Sequence, residues 1–193
     1  MNAMPSQITG QTVYVTFSAE INVTTTESLI SVMANLVNQQ AKEVHLLMST
    51  SGGSVMHGLN LYNVLIGLPF ELITHNVGNV DSIGNAVFLA GSRRYAAVHS
   101  TFMFHGVGFD LPGQTRLEEK NVREYLDGIL SNQKWIGSII TERTRIGRED
   151  VNALFREAQT KDAAFAVSSG IIHQIKDVQL PVGGPVISLV FQR

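Results

Sequence analysis

Residues Phe70 to Ala90 read FELITHNVGNVDSIGNAVFLA: an apolar β-branched run, a glycine-framed turn and a second apolar run in direct succession. The first run, Phe70 to Val77, predicts a buried strand, and the last, Ser82 to Ala90, predicts a helix. Gly78 and Gly84 frame one serine, Ser82, where strand gives way to helix. That serine has two readings. It caps the helix, for which serine is a favoured residue, or it presents its hydroxyl at the carboxyl edge of a sheet, in line with a helix N-terminus, as a nucleophile. Spacing alone favours the cap.

Working outward, the same alternation repeats. Thr12 to Phe17 is β-branched and aromatic and predicts a first strand. Thr24 to Gln40 changes to helical spacing, with Leu29, Val32, Met33, Leu36 and Val37 on one face and a Thr24/Glu27 capping box at its start. Val44 to Met48 predicts a strand that ends in the turn Ser49 to Gly53, and Val55 to Leu65 predicts the helix after it. Ala96 to Phe104 is a further strand candidate. Strands and helices in turn, with apolar strands, imply an α/β fold around a mainly parallel sheet. No linker, repeat or low-complexity segment divides residues 1–193, so a single domain is expected.

From Thr115, which opens a second capping box with Glu118, the apolar positions Val122, Leu126, Ile129, Leu130, Ile136, Ile139 and Ile140 keep helical spacing until Gly147. One domain of this size seldom needs a helix over about 115–146 for its own core. With Tyr125 and Trp135 on its stripe, it predicts an arm that packs on another copy of the chain, hence a homo-oligomer.

Composition removes several classes of function. A net charge of −2 with 16% charged residues gives no basic field for nucleic acid or an anionic membrane. The absence of cysteine excludes disulfides, thiol catalysis and thiolate metal sites. No apolar run approaches the ~20 residues of a membrane span, and the first residues lack a signal-peptide pattern. A soluble, cytoplasmic protein is expected. His45, His57, His75, His99 and His173 lack the spacing of a metal site and read as structural or surface residues, and Arg93-Arg94 reads as a solvated turn.

The chemistry lies where three segments end. A serine hydroxyl needs a base in reach, and its tetrahedral intermediate needs backbone N–H donors. Gly52-Gly53 ends one strand segment, Ser82 the next, and His105 closes the Ala96 to Phe104 run just before Gly106-Val107-Gly108. Glycine donors, a serine and a histidine brought to one edge make an acyl-transfer site.

These residues resemble the proteolytic subunit of the Clp protease and, more broadly, the peptidases built on the ββα superhelix shared with the crotonases. The glycine pair of that family matches Ser51-Gly52-Gly53-Ser54-Val55, its nucleophile turn matches Gly78-Asn79-Val80-Asp81-Ser82-Ile83-Gly84, and its base matches Phe102-Met103-Phe104-His105. The long helix is similar to the family's handle, and the resemblance spans roughly residues 11 to 176. It implies Ser82 as nucleophile and His105 as general base. It also implies an oxyanion hole from the N–H groups of Gly53 and Ile83, and substrate strands pairing beside Gly52, Ser54 and Gly106. It implies a peptide or unfolded-protein substrate, stacked rings enclosing a chamber, an ATP-dependent AAA+ unfoldase as partner, and no metal or organic cofactor.

The chain departs from the family at several points. Asp81 stands where a small residue is usual, Ser51 replaces a proline, and little chain precedes the first strand for loops that would touch an unfoldase. Running Thr144 to Gly170 against the family places Ala158 at the position of the triad acid. Glu157 is the nearest substitute and Asp162 the next. Two alternatives follow: a catalytically silent ring subunit, and an acyl-CoA enzyme of the crotonase type. A serine–lysine dyad through Lys120 or Lys134 is a third, disfavoured because His105 is available.

Overall fold

The computed structural model describes residues 8–111, 113 and 116–191. Its elements run β1 (Thr12–Ser18), α1 (Val23–Asn38), β2 (Glu43–Thr50), α2 (Val55–Ile66), β3 (Glu71–Asp81), α3 (Gly84–Phe88), β4 (Arg93–Ala96), β5 (Thr101–Met103), α4 (Glu119–Arg143), α5 (Arg148–Glu157), β6 (Thr160–Asp162), α6 (Ala163–Ser168), β7 (Gln174–Ile175) and β8 (Val186–Leu189). The sheet is ordered β6-β5-β3-β2-β1-β8, with β4 also on β3 and β7 on β4. All pairings are parallel except β5 with β6. The expected α/β class with a mainly parallel sheet is the one observed.

Period-two alternation decides which face of the sheet is covered. Val13, Val15 and Phe17 on β1, with Val44, Leu46 and Met48 on β2, are fully buried against the helices. The intervening positions form a ladder across four strands. Tyr14 stacks on His45 at 4.6 Å, His45 on His75 at 5.0 Å, and Tyr95 lies 5.3 Å from His75. His45 Nδ1 and His75 Nε2 are 2.8 Å apart, and His45 Nε2 reaches Glu43 at 2.9 Å.

Several boundaries differ from the sequence reading. The cap of α1 is Asn22 with Thr25, not Thr24 with Glu27: Asn22 Oδ1 accepts from Thr25 N–H, and Thr25 Oγ1 accepts in return from Asn22 N–H. Strand β3 continues four residues beyond Val77, because the β2–β3 register slips between Met48 and Thr50 and absorbs the glycine turn into the ladder. The expected strand from Ala96 to Phe104 is two strands. β4 and β5 follow one another along the same edge of β3, separated by a turn in which Ser100 N–H and Oγ–H both donate to the Ala97 carbonyl.

Arg94 is no solvated turn. It is 7% exposed, and its guanidinium donates to the carbonyls of Ile171, Gly91, Arg143 and Gly170 at 2.7 to 3.2 Å. Burial, with Arg143 close by, pushes its pKa down to about 10. Arg143 in turn donates to the carbonyls of Leu89, Ala90 and Gly91. The two arginines thus tie the end of α3, the end of α4 and β4 together.

The long helix is shorter than expected, Glu119–Arg143, and its cap pairs Glu118 with Asn121. The expected partner, Thr115, lies outside the described residues. Ile136, Gly137, Ile139 and Ile140 are buried, while Val122, Tyr125, Leu126, Leu130 and Trp135 are exposed. The last third of α4 carries its buried residues, and nearer its start Phe109 packs on Tyr125 with ring centroids 5.8 Å apart. Among the described residues, no helix is long and apolar enough to cross a membrane.

Candidate functional site

Ser82 follows directly on β3 and precedes α3, with φ +56°. A side chain in the left-handed region is strained by about 1–3 kcal/mol and persists only where the surroundings impose it. Ser82 does not cap α3: the N-cap is Ile83, which makes no side-chain cap, and α3 starts two residues later than the sequence suggested. Among the described residues Ser82 Oγ has no hydrogen-bond partner. The capping reading therefore fails, and the hydroxyl sits on a sharp strand-to-helix turn.

The turn is held from two sides. Ser82 N–H donates to the Met103 carbonyl of β5 at 2.9 Å, and the Asn85 Nδ2 amide donates to the same carbonyl at 2.8 Å and to the Ser82 carbonyl at 3.1 Å. On the other side Gly52, φ +84°, presses directly on it. A Cβ there would lie 2.7 Å from the Asp81 carbonyl oxygen, 2.7 Å from Ser82 Cβ and 3.4 Å from Ile83 N. Only glycine permits both that conformation and that approach.

Gly53, φ +140°, forms an isolated parallel bridge with Ile21. Its neighbours are engaged: the Gly52 carbonyl accepts from Ile21 N–H at 2.7 Å and Ser54 N–H donates to the Ile21 carbonyl at 2.8 Å. Among the described residues, neither Gly53 N–H nor Ile83 N–H has an acceptor. Two unpaired amides beside an unpaired hydroxyl are the elements of an oxyanion hole. Gly53 and Ser54 are exposed, as a substrate-facing edge requires, whereas Gly52 is buried.

His105 lies two residues beyond β5, exposed, with Nδ1 2.7 Å from the Gly106 carbonyl. A carbonyl only accepts, so Nδ1–H is the donor of this bond, and Nε2 is the ring nitrogen that remains for a general-base role. Among the described residues no hydrogen bond joins His105 to Ser82. The antiparallel register of β5 and β6 pairs Thr101 with Asp162, Phe102 with Lys161 and Met103 with Thr160. Phe104 N–H continues it to the Gln159 carbonyl at 3.5 Å. The pairing then leaves that register, since Gly106 N–H donates to the Phe155 carbonyl at 2.9 Å, and Ala158, between the two contacts, closes α5 at φ +50°.

Glu157, one residue earlier, lines the cleft between α5 and α6 with Arg145, Leu154 and Phe165. Among the described residues it makes no hydrogen bond to His105. Asp162 caps α6, accepting from Phe165 N–H at 2.8 Å. Asp81 is occupied by Asn79, whose Nδ2 donates to it at 2.6 Å and whose Oδ1 accepts from Ser49 at 2.8 Å. Asn85 was not legible as a site residue, because a lone asparagine inside an apolar run carries no pattern. Among the described residues no group of three or more histidine or carboxylate side chains is placed to hold a metal ion.

A family model described as Clp protease matches residues 6–179. A relative described as ATP-dependent Clp protease proteolytic subunit 1, from Leifsonia xyli subsp. xyli (strain CTCB07), is 23% identical over 145 residues, 74% of this chain and 72% of its own. A solved structure of a ClpP1 mutant from Listeria monocytogenes superposes with a TM-score of 0.77 at 17% identity, covering 86% of this chain and 92% of that one. The fold is ClpP-like.

Proposed function

Since the chain belongs to the Clp protease family, we propose that it is a serine-type peptidase, with Ser82 as nucleophile, His105 as general base, and Gly53 and Ile83 N–H groups as oxyanion donors. The observation that carries this reading is the left-handed Ser82 turn, whose hydroxyl is unpaired beside two unpaired amides. A peptide pairing its backbone along Gly52 to Ser54 and the Gly106 segment, as an added strand, brings its carbonyl to that point. His105 Nε2 takes the serine proton as the C–O bond forms. The oxyanion is held by the two amides, and the same nitrogen then protonates the leaving amine. Water, deprotonated in turn by His105, releases the acyl group.

Two acceptors compete for the role of orienting His105. The Gly106 carbonyl holds Nδ1 in this structure, and Glu157 would have to leave the α5–α6 cleft to replace it. A neutral carbonyl stabilises an imidazolium less than a carboxylate does, so turnover is expected to be slow. The exposed stripe on α4 supports assembly with further copies, and stacked rings around a chamber, fed by an unfoldase, complete the proposal.

The test is covalent labelling of the intact protein by a fluorophosphonate, followed by peptide hydrolysis. Label on Ser82 and turnover that vanishes in Ser82→Ala, with the assembly unchanged, is the expected result. An unlabelled serine with unchanged turnover in the mutant would end the serine-peptidase reading. A soluble assembly with neither label nor turnover would favour the silent ring subunit.

A further inference from the structure

Asn85 occupies an unusual position for a polar side chain. It lies in α3, 1% exposed, between the fully buried Ala86 and the turn that carries Ser82. Its Nδ2 group reaches the carbonyls of Ser82, at 3.1 Å, and Met103, at 2.8 Å, while its Oδ1 is buried and has no partner among the described residues. Flipping the amide would put Oδ1 against two carbonyl oxygens, so the orientation is fixed by the acceptors themselves. A buried amide oxygen without a partner costs stability, and an apolar residue of similar size would avoid that cost. The amide stands where its Nδ2 group joins the turn bearing Ser82 to the strand leading to His105.

We infer that Asn85 is a positioning residue, which sets the separation between the Ser82 turn and the end of β5, and through it the distance from Ser82 Oγ to His105. This rests on the serine-peptidase reading above. The β3–β5 ladder ends at Asp81 and Met103; beyond it, among the described residues, the backbone ties the turn to β5 once, from Ser82 N–H to the Met103 carbonyl, and Asn85 doubles that tie at the same oxygen. Without the side chain, the turn is free to move relative to β5 by a fraction of an ångström to an ångström. Misplacement of about 1 Å between reacting groups costs on the order of 100-fold in rate.

The experiment compares wild type, Asn85→Ala and Asn85→Ser by peptide hydrolysis, fluorophosphonate labelling and amide hydrogen exchange on the intact assembly. In Asn85→Ala, kcat is expected to fall by roughly ten- to 100-fold with KM within about threefold. Ser82 labelling should slow in parallel, and Ser82 N–H should exchange at least ~10-fold faster while the β1 and β2 amides keep their protection. Asn85→Ser keeps a hydroxyl donor of shorter reach, should give an intermediate loss, and serves if the alanine variant does not fold. Unchanged kcat and unchanged Ser82 exchange in a folded variant would overturn the inference, as would a loss confined to KM. If the wild type neither hydrolyses nor labels, the serine-peptidase reading fails. The exchange rate at Ser82 then still decides whether Asn85 holds the turn.

Discussion

Helices α1 and α4 carry apolar residues at the same spacing, but the domain covers only one of them. On α1, Leu29, Met33 and Leu36 are fully buried beneath the sheet. On α4, Leu126 and Leu130 remain 51% and 53% exposed, and burial begins only at Ile136. The spacing is what makes each helix amphipathic, but length decides what it packs on. The 16 residues of α1 bury their stripe from Thr25 to Leu36, whereas the 25 residues of α4 bury theirs only from Ile136 onward. The apolar stripe of α1 is thus covered within the chain, and that of the first two thirds of α4 is exposed.

The largest effect expected from this contrast is a difference between two similar substitutions. Leu29→Glu buries an unpaired carboxylate in the core and should cost about 4 kcal/mol or more, enough to unfold a marginal domain. Leu126→Glu with Leu130→Glu should leave the monomer's melting temperature nearly unchanged and lower the mass seen by light scattering. A wild type that is monomeric at micromolar concentration, or an arm variant that melts like the core variant, would break the comparison.

The second effect is confined to the sheet. Burial, with His45 and Lys176 nearby, pushes His75 down from 6.5 to about 4. The native state therefore resists a proton that the unfolded chain accepts. Stability from this source is fully present above the unfolded pKa of 6.5, and it declines as the pH falls from there toward 4, by about 3 kcal/mol in all. Urea midpoints at pH 7 and pH 4.5 should show the loss, and His75→Gln should flatten it. An equally steep loss in His75→Gln would assign the acid sensitivity elsewhere.

The smallest effect sharpens the comparison at the site. Ala158 holds a left-handed conformation in which aspartate and asparagine are several-fold enriched, and it lies between Phe155 and Gln159, whose carbonyls accept from Gly106 and Phe104 on either side of His105. Ala158→Asp should raise peptide turnover by about tenfold, roughly 1.4 kcal/mol of barrier. No rise, together with a fall in Glu157→Gln, would show that Glu157 already orients the base.

What was legible in the sequence follows the same division between local pattern and tertiary context. The order of strands and helices and the amphipathic stripes of α1 and α4 are written in periodicity, which is local, and the exposure of the arm was read from the length of its helix. The meeting of Ser82, His105 and the glycine pair was inferred from three segment ends, and parallel pairing of β2, β3 and β5 brings those segments side by side. The continuation of β3 through Gly78 to Asp81 was hidden, because glycine and asparagine signal a turn unless a neighbouring strand slips its register to accommodate them. Arg94 was misread for a related reason. An arginine beside Gly91-Ser92 looks solvated until carbonyls from the ends of α3 and α4 and from the segment after α6 converge on it, and sequence does not announce such convergence. Ser82 looked like a cap because the sequence does not reveal a positive φ.

The close approach of glycines to the Ser82 turn also bears on what variation the site can accept. A side chain at Gly52 would strike the Asp81 carbonyl, one at Gly53 the backbone of Ile21, and one at Gly58 the side chain of Ile83. On the segment after His105, a side chain at Gly108 would meet nothing within 4 Å, and one at Gly106 would meet chiefly the flexible amide of Gln133. A saturation library spread evenly over the site would therefore return lopsided: almost pure glycine on the wall behind the serine, and diversity on the loop that follows His105. Directed evolution of this scaffold has one adjustable jaw, and the other jaw is cast in backbone.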